Sequence, residues 1–502
     1  MFQRPPAEIL AELEALRAHD APTHGGHVLS YVYDPGLVEI DELAAAAMRA
    51  VQSVNGLDPT TFPSVAAMER DIVAFVRGML HGQAGGGQRP DDTVVGSVTS
   101  GGTESCLLAV KTARDAWRAA GGEGAPMLVA PSTVHAAFHK AAAAFELELV
   151  VVPVDQMTGR PAPEDVIAHL SDRVALVVLS APSYPFAVLD PVEAVAAECA
   201  ARGIALHVDA CIGGFALPWW QGSGDGGRAL PPWDFSVPGV TSISADVHKY
   251  GYAPKGVSVL LQRGRDRQRH QYFALSDWPG YPVVNPTLLG SKSAGALAAA
   301  WAIIQALGDD GYASLVAKAH RATDALVTLV SGIEGLRVFG DPTGPLFAVC
   351  TDESVSPDRR VDPHHWADRV KQAGWLIQAQ PGLVQRDGTR LPHTTHLTVT
   401  PVTERVLEPL GQALGSAADA VRGIPAVDPA AVLAALTGSL GTTGLPERLD
   451  SETAWGLLER LGVGAGGAMP AEMAPLLALI EAVPSSVAER LLVELVARLV
   501  EP

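Results

Sequence analysis

The stretch SISADVHKYGYAPKG, residues 242–256, decides how this sequence is interpreted. An apolar run typical of a buried strand ends there in an acidic residue, and Lys249 follows a histidine directly afterwards. From about residue 93 to about residue 262, short apolar runs of this kind alternate with helical segments. The alternation predicts an α/β fold with a mainly parallel sheet covered on both faces. Ligands of such sheets bind beyond the carboxyl ends of the strands, so the residues at those ends are the candidates for function.

Composition narrows the class of partner. The 502 residues carry a formal net charge of -19 with no basic block, which argues against binding to nucleic acid or to an anionic membrane surface. The N-terminus lacks the apolar run of a signal peptide, and no segment approaches the roughly 20 apolar residues of an integral membrane segment. The four cysteines lie far apart without a CxxC pair, so we expect reduced thiols in the cytoplasm and no metal site. A small-molecule substrate is therefore expected.

Changes in pattern along the chain predict four parts. They are an N-terminal segment (1–60), a large cofactor-binding domain (61–330), a small C-terminal α/β domain (331–424) and a helical tail (425–502). In the tail, Leu491, Leu492, Leu495 and Leu499 fall on one face of a helix, which favours packing against the body or against a partner subunit.

The segment SVTSGGTES, residues 97–105, ends a buried strand in two glycines and then begins a helix. Glycines allow backbone N–H groups to approach an anion at the positive end of the helix, so a phosphate fits there. The alternative is an ordinary strand-to-helix turn in which Thr103 or Ser105 caps the helix. Because the segment matches neither the Walker pattern nor GxGxxG, it does not indicate nucleotide binding.

Two further strand ends carry charged groups. Asp209, in LHVDACIGGF, ends an apolar strand, where an ionised carboxylate requires a cationic partner such as a protonated pyridine nitrogen. Lys249 can form an imine with an aldehyde if its surroundings lower the pKa of its amine from about 10.4. Each residue alone has an ordinary alternative, a turn-capping Asp and a surface Lys. Together with the anion cradle they predict a site for pyridoxal 5'-phosphate.

The motifs TSGGTES, PSTVHAAFHKAA, HVDACIGGF, GVTSISADVHKYGYAPKG and LLGSKSAG resemble those of sphingosine-1-phosphate lyases, within the group II pyridoxal-phosphate-dependent decarboxylases. The resemblance covers the chain from about Tyr31 to about Pro401. It implies the fold type I architecture of aspartate aminotransferase, with a large domain and a smaller C-terminal α/β domain. It also implies a homodimer with shared active sites.

The resemblance also implies roles for single residues. Lys249 would hold the cofactor as an imine, Asp209 would pair with its ring nitrogen, and His135 would stack on the ring. Five residues would bind the cofactor phosphate. Three belong to the same subunit as Lys249, namely Gly102, Thr103 and His248, and two come from the second subunit, Gly290 and Ser291. The ordinary alternatives are a helix-start histidine at residue 135 and a loop turn at residues 290–291.

Residues that contact the rest of the substrate select the bond to be broken. Tyr33 and Lys255 match family positions near a substrate phosphate, and Tyr252 is a candidate for proton transfer or substrate contact. Asp58 departs from the family, which commonly has a histidine there, and its carboxylate would repel a phosphate. Phe186 also replaces a histidine, and the insertion QRDGTRLP adds Arg386 and Arg390, which suit a carboxylate or are solvated loop residues.

Three functions remain open from the sequence. The first is a carbon–carbon (aldehyde) lyase that cleaves a β-hydroxy amine by retro-aldol chemistry. The second is an amino-acid decarboxylase on the same scaffold, and the third is a cofactor-binding scaffold without turnover. Cofactor-binding residues do not separate the first two, because both reactions use the same electron sink.

Overall fold

The computed structural model describes residues 2–83, 93–220, 229–439, 449–463 and 470–501. Its largest element is a seven-stranded sheet with the strand order β1-β7-β6-β5-β4-β2-β3. Only β7 runs antiparallel to its neighbours β1 and β6, so the prediction of a mainly parallel sheet is confirmed. The strands are β1 Val94–Thr99, β2 Met127–Pro131, β3 Glu148–Val152, β4 Val174–Ser180, β5 Ala205–Asp209, β6 Ser242–Ala245 and β7 Ser258–Arg263.

Helices cover both faces of this sheet. Strand β4 is buried throughout, and its successive residues belong to different clusters: Val177 and Leu179 to one core, Leu176 and Val178 to the other. Because neighbouring strand residues point to opposite faces, a continuous apolar run is the pattern such a strand requires. From the N-terminus to residue 331, the α-helices are α1 Pro6–Arg17, α2 Val38–Ala50, α3 Pro63–Met79, α4 Gly102–Ala119, α5 Ala136–Phe145, α6 Pro163–Ile167, α7 Val192–Ala201, α8 Leu217–Trp220, α9 Arg265–Arg269 and α10 Gly295–Ser331.

A second, four-stranded sheet follows with the order β10-β11-β15-β12, and all its pairs are antiparallel. Helices α11 and α12 pack with it around Trp366 and Leu414. Gly308 interrupts α10 with a non-helical backbone. The elements are β8 Phe273–Leu275, β9 Val283–Asn285, β10 Leu336–Val338, β11 Leu346–Thr351, α11 Pro363–Gln372, β12 Gln378–Gln380, β13 Leu383–Val384, β14 Arg390–Leu391, β15 Thr394–Thr398 and α12 Leu407–Val421.

The C-terminal part is helical and has a core of its own. Its helices are α13 Pro429–Ser439, α14 Ser451–Arg460, α15 Ala474–Ala482 and α16 Ser485–Arg498. On α16, Leu491 and Leu495 are buried in that core, whereas Leu492 and the C-cap residue Leu499 are exposed. The apolar face of the helix is therefore wider than the part of it that packs against the core. Among the described helices, none combines the length and hydropathy that crossing a bilayer requires.

The sheet brings three strand ends to one edge. Since β1 and β6 both pair antiparallel with β7, they run in the same direction, and β5 runs parallel to β6. The turn into α4 follows β1, Asp209 ends β5, and the segment leading to Lys249 follows β6. Residues 147 positions apart in the chain thus become neighbours at this edge, from Gly102 to Lys249.

Candidate active site

A cavity of about 560 Å³ lies at this edge of the sheet. It is lined by the turn between β1 and α4, by His135 at the start of α5, and by the segment after β6. The volume lies within the range of small-molecule sites, about 300–1,000 Å³. Of the predicted residues, it brings together Gly102, Thr103, His135, His248, Lys249 and Lys255.

The two glycines of the cradle are required by the geometry. Gly101 has φ +145°, a conformation that side chains disfavour. At Gly102, a Cβ atom would lie 2.6 Å from Oδ2 of Asp246, so a side chain there would collide with the carboxylate. The N-terminus of the 18-residue helix α4 therefore opens directly into the cavity, which suits an anion.

Lys249 forms an ion pair with Asp246, whose Oδ2 lies 3.0 Å from the lysine Nζ. Burial disfavours the charged amine, but the nearby carboxylate of Asp246 outweighs it and raises the pKa of Lys249 well above its ordinary value. Burial raises the pKa of Asp246, but the charges of Lys249 and His248 outweigh this effect and hold the pKa below its usual range. The other oxygen, Oδ1, is buried without a hydrogen-bond partner among the described residues.

His248 lies beside this pair, with Nε2 3.6 Å from Oδ2 of Asp246. Its Nδ1 donates to the carbonyl oxygen of Val257 at 2.7 Å, which fixes the ring. Burial, together with the charges of Lys255 and Lys249, lowers the pKa of His248 below its ordinary value. A neutral imidazole is therefore held at the cavity wall next to the lysine.

Asp209 lies behind the cavity wall and not in its lining. Its Oδ1 accepts from the backbone N–H of Cys211 at 3.1 Å and from Oγ of Ser244 at 3.4 Å. A carboxylate oxygen of Asp209 and the sulfurs of Cys106 and Cys211 all lie within 4.8 Å of one another, and both cysteines line the cavity. The carboxylate is thus one side chain away from the open space.

His135 shows both features that the sequence allowed. Its Nδ1 caps α5 by accepting from the N–H of Ala137 at 3.2 Å. The residue is also exposed and lines the cavity. Capping leaves the ring face free, so the histidine can stack on a planar ligand.

Tyr33 and Lys255, predicted to lie near one substrate group, are in contact. The Lys255 Nζ lies 4.5 Å from the centre of the Tyr33 ring and donates to the carbonyl oxygen of His248 at 3.2 Å. Burial, reinforced by the charge of Lys249, lowers the pKa of Lys255 to about 8. Burial also raises the pKa of Tyr33, so its phenol is neutral at pH 7.

Tyr252 and Asp58 are not part of the cavity lining. Tyr252 is buried, its ring stacks with Tyr312, and its hydroxyl has no hydrogen-bond partner among the described residues. Asp58 caps a turn, with Oδ1 accepting from the N–H of Thr60 at 2.8 Å and Oδ2 from the hydroxyl of Thr61 at 2.6 Å. The substrate roles of both residues remain predictions.

The loop with Gly290 and Ser291 is anchored to this chain while both residues stay exposed. Asn55 donates to Oγ of Ser291 at 3.2 Å, and the preceding residues Leu288 and Leu289 line the cavity. Exposure leaves Gly290 and Ser291 available to a second subunit, and that contribution remains a prediction.

The departures from the family pattern have local partners. Arg390 pairs with Glu481 of α15, and Arg386 donates to the carbonyl oxygen of Leu149 at 3.4 Å. Phe186 is buried against Phe339, with ring centres 4.3 Å apart. None of the three lines the cavity.

Sequence reasoning missed three residues of the site. Asp246 holds Lys249, Lys140 adds a cation to the cavity lining, and Glu104 joins the cradle to the 288–289 loop. Asp246 had a signal, because it directly follows the strand β6, as Asp209 is the last residue of β5. Lys140 lies one turn and a half beyond His135 on α5, but nothing in its local sequence separates it from a solvated lysine.

Comparison with known proteins identifies the family. The model described as "Pyridoxal-dependent decarboxylase conserved domain" matches residues 23–339, and a model of the C-terminal HTH domain of pyridoxal-dependent enzymes matches residues 408–498. The chain belongs to the pyridoxal-dependent decarboxylase family. Its cofactor is pyridoxal 5'-phosphate, and the fold type I expectation is confirmed. It is a pyridoxal-phosphate-dependent lyase, a class that includes both carbon–carbon lyases and decarboxylases.

The relatives include sphingosine-1-phosphate lyases, which confirms the recognised resemblance. The Arabidopsis thaliana enzyme is 36% identical over 72% of this chain and 63% of its own length, so this chain spans less than two thirds of that relative. The enzyme of Oryza sativa is 33% identical over 83% of this chain and 74% of its own. The structure of the Burkholderia pseudomallei sphingosine-1-phosphate lyase matches with a TM-score of 0.77 at 33% identity, covering 89% of this chain and 97% of that one. Glutamate decarboxylase of Lactobacillus brevis (TM-score 0.71, 20% identity, 84% and 94% covered) shares the fold.

The residues at the cavity fit this cofactor. The glycine cradle at the α4 N-terminus would accept a phosphate, Lys249 lines the same cavity, and Oδ1 of Asp246 is a buried acceptor without a partner among the described residues. When bound, pyridoxal phosphate supplies an electron sink for the bond that breaks. The protein's part is to hold that group and to orient the substrate against it.

Proposed function

We propose that this protein is a carbon–carbon lyase that cleaves a β-hydroxy amine bearing a phosphate or a similar anionic group. The reaction is a retro-aldol cleavage that releases an aldehyde. The relatives named sphingosine-1-phosphate lyases support the reaction type. The charges of the cavity support an anionic substrate, because the cavity contains more cationic side chains than the phosphate cradle at α4 would need.

The observation that carries the proposal is the unequal pairing of three cavity lysines. Lys249 pairs with Asp246, whereas Lys140 and Lys255 line the same cavity without a carboxylate partner among the described residues. Ammonium groups in a partly buried site favour a bound anion. Lys255 also lies against Tyr33, so two residues matched to the substrate's anionic end are already in contact.

We assign the roles of the remaining residues as follows. Lys249 holds the cofactor and, once the amine substrate replaces it, its Nζ accepts the proton of the β-hydroxyl group. Asp209 would keep the ring nitrogen of the cofactor protonated, and His135 would stack on the ring. Gly102, Thr103 and His248 would hold the cofactor phosphate.

Amino-acid decarboxylation is the second candidate, since decarboxylases share the fold. The sequence offered Arg386 and Arg390 as partners for a substrate carboxylate, but both are engaged outside the cavity, with Leu149 and Glu481, so neither supports this reaction. The ion pair of Lys249 with Asp246 disfavours a scaffold without turnover, because a protein that never forms an imine does not need a lysine held in the cavity.

Product analysis separates the candidates. A long-chain β-hydroxy amine, with and without a terminal phosphate, and a panel of amino acids are incubated with the holoenzyme. Aldehyde release from the phosphorylated amine supports the lyase, carbon dioxide from an amino acid supports the decarboxylase, and no product from either supports the scaffold. The Lys249→Ala variant should abolish turnover, and full activity in it would overturn the assignment of that residue.

Replacing Lys255 by an uncharged residue tests the anion site. We expect Lys255→Met to lower kcat/KM for the phosphorylated amine about 10- to 100-fold, the loss of one charged hydrogen bond, and to affect the unphosphorylated amine little. Lys371→Met, at an exposed position on α11, is the matched control. Equal losses for both substrates would show that Lys255 does not recognise the anion.

We further propose that the enzyme acts as a cytoplasmic homodimer in which Gly290 and Ser291 complete the partner's site. The exposure of both residues and the four free cysteines support this arrangement. The division at residues 60, 330 and 424 is part of the same proposal. Three separate hydrophobic clusters, centred on the large sheet, the small sheet and the C-terminal helices, support it.

A further inference from the structure

We propose that the thiols of Cys106 and Cys211 and the carboxylate of Asp209 form a binding site for a thiophilic divalent cation such as Zn²⁺, and that this cation and pyridoxal phosphate exclude each other.

The three donors already form a compact set. The two sulfurs and a carboxylate oxygen lie within 4.8 Å of one another. Zinc binds sulfur at about 2.3 Å and carboxylate oxygen at about 2.0–2.2 Å in a tetrahedron, which places its ligands roughly 3.5–4 Å apart. A small movement of the side chains is therefore enough to enclose an ion.

The position of the donors gives the ion a route of entry and a free coordination position. All three residues are buried, yet Cys106 and Cys211 line the cavity. Zinc sites with an open coordination position have this pattern: three ligands come from the protein and water occupies the fourth position. Ser244 supports the set, because its Oγ lies 3.3 Å from the Cys211 sulfur and 3.4 Å from Oδ1 of Asp209.

The binding step balances in atoms and charge. One dication and two thiols with one carboxylate give a complex of two thiolates, one carboxylate and the metal, with the release of two protons. No electrons are transferred, so no oxidant is needed. The net charge of the complex is -1.

Mutual exclusion rests on the proposed function, in which Asp209 pairs with the cofactor's ring nitrogen. A carboxylate that coordinates a metal cannot pair with that nitrogen in the same geometry. The cofactor ring would also cover Cys106 and Cys211 and close the route from the cavity. The site is thus available in the cofactor-free enzyme.

The other two cysteines provide matched controls. Cys199 lies on α7 and packs in the core, and Cys350 lies on β11. Neither belongs to a cluster of three metal-ligating groups among the described residues.

Cadmium is the probe for the test, because thiolate-to-Cd²⁺ charge transfer absorbs in the ultraviolet. The full-length chain is freed of cofactor and titrated with Cd²⁺. We expect a band that saturates at one ion per chain, falls at least 10-fold in Cys106→Ser and Cys211→Ser, and persists in Cys199→Ser and Cys350→Ser. Absence of the band, or its persistence in both site variants, would overturn the proposal. Cys106→Ala is a second variant, and circular dichroism checks that each variant folds.

Competition is measured with the same chain. Prior addition of one equivalent of Cd²⁺ or Zn²⁺ should slow the uptake of pyridoxal phosphate about 10-fold or more, and the holoenzyme should show no band. If the band forms and uptake is unchanged, exclusion fails and with it the assignment of Asp209. If borohydride fixes the cofactor on Lys249 but no band forms, the metal site fails while the proposed function stands.

Discussion

At the scale of single residues, Lys249 is held by Asp246, three positions before it in the chain. The Asp246 carboxylate lies 3.0 Å from its amine and is itself buried. Before the lysine reacts with an aldehyde it must lose a proton that this carboxylate stabilises. If Lys249 forms the imine as proposed, Asp246 would position its amine and set the pH at which it reacts.

Replacing Asp246 by Asn tests this role. Burial lowers the pKa of Lys249, and the Asp246 carboxylate is the strongest of the charges that raise it, so removing that carboxylate lowers the pKa and makes the neutral amine available at lower pH. We expect the pH profile of pyridoxal phosphate uptake to shift to lower pH in Asp246→Asn. Asp155→Asn, at an exposed turn, should leave the profile unchanged. A wild-type profile in Asp246→Asn would contradict the role.

A methyl group at residue 102 tests the cradle. The new Cβ of Gly102→Ala would lie 2.6 Å from Oδ2 of Asp246 and displace it, at a cost of about 1–3 kcal/mol. We expect pyridoxal phosphate to bind about 10- to 100-fold more weakly, measured by its absorbance. Gly415→Ala on α12 has no heavy atom within 4 Å of the added carbon, so its cofactor affinity should match that of the wild type. Equal affinity in Gly102→Ala would show that the cradle tolerates a side chain.

At the scale of elements, the first turn of α4 organises the cavity mouth. Glu104 accepts from the N–H of Ser100 at 2.6 Å with one oxygen and from the N–H of Leu288 at 2.7 Å with the other. One buried carboxylate thus joins the β1–α4 turn to the loop that carries Gly290 and Ser291. Loop and cradle are expected to become ordered together.

The Glu104→Gln variant breaks one of these bonds, because its amide nitrogen would face a backbone donor. Each lost bond costs about 1–3 kcal/mol. We expect the amide of Leu288 to exchange with deuterium at least about 10-fold faster, as measured by mass spectrometry of peptides covering the loop. Glu408→Gln, at an exposed position in the first turn of α12, should not change it. Unchanged exchange in Glu104→Gln would show that other contacts hold the loop.

On the scale of the whole molecule, the C-terminal helices are attached to the small sheet domain through charged groups. Glu481 of α15 pairs with Arg390 and lies 3.7 Å from Nδ1 of His393, whose Nε2 lies 2.7 Å from Asp362. Burial opposes protonation of His393, but the hydrogen bond and charge of Asp362, with Glu481, raise its pKa. His364, whose ring packs on His393, has a lowered pKa through burial and stays neutral near pH 7.

This arrangement predicts docking that depends on pH. Since the pKa of His393 is raised in the docked state, its contribution is complete below the free value of about 6.5 and is lost as pH rises through the docked value. Proteolysis of the segment joining α12 to α13 should therefore increase with pH above about 6.5. His393→Gln should remove this dependence, and Glu481→Gln should increase cleavage about 10-fold at low pH. A pH dependence retained in His393→Gln would assign it to another group.

The alternation of short apolar runs and helical segments from about residue 93 to about residue 262 predicted the main sheet, and its seven strands all lie in that part of the chain. It did not predict β8, β9, β12, β13 or β14, which are two or three residues long and not fully buried, so hydrophobic periodicity gives them no signal. The position of β7 between β1 and β6 was likewise beyond a local pattern.

What the sequence by itself determined was the chemistry at the strand ends: a glycine turn before a helix, an acid after β5 and a lysine after β6, each readable from neighbours in the chain. Only the tertiary structure decided which groups share the cavity. It placed Asp246 on Lys249, Lys255 on Tyr33, and Cys106 beside Cys211, while Arg390 was drawn to Glu481. The reason is physical: the charge of a buried group depends on neighbours that folding brings from distant segments, and no local pattern encodes those distances.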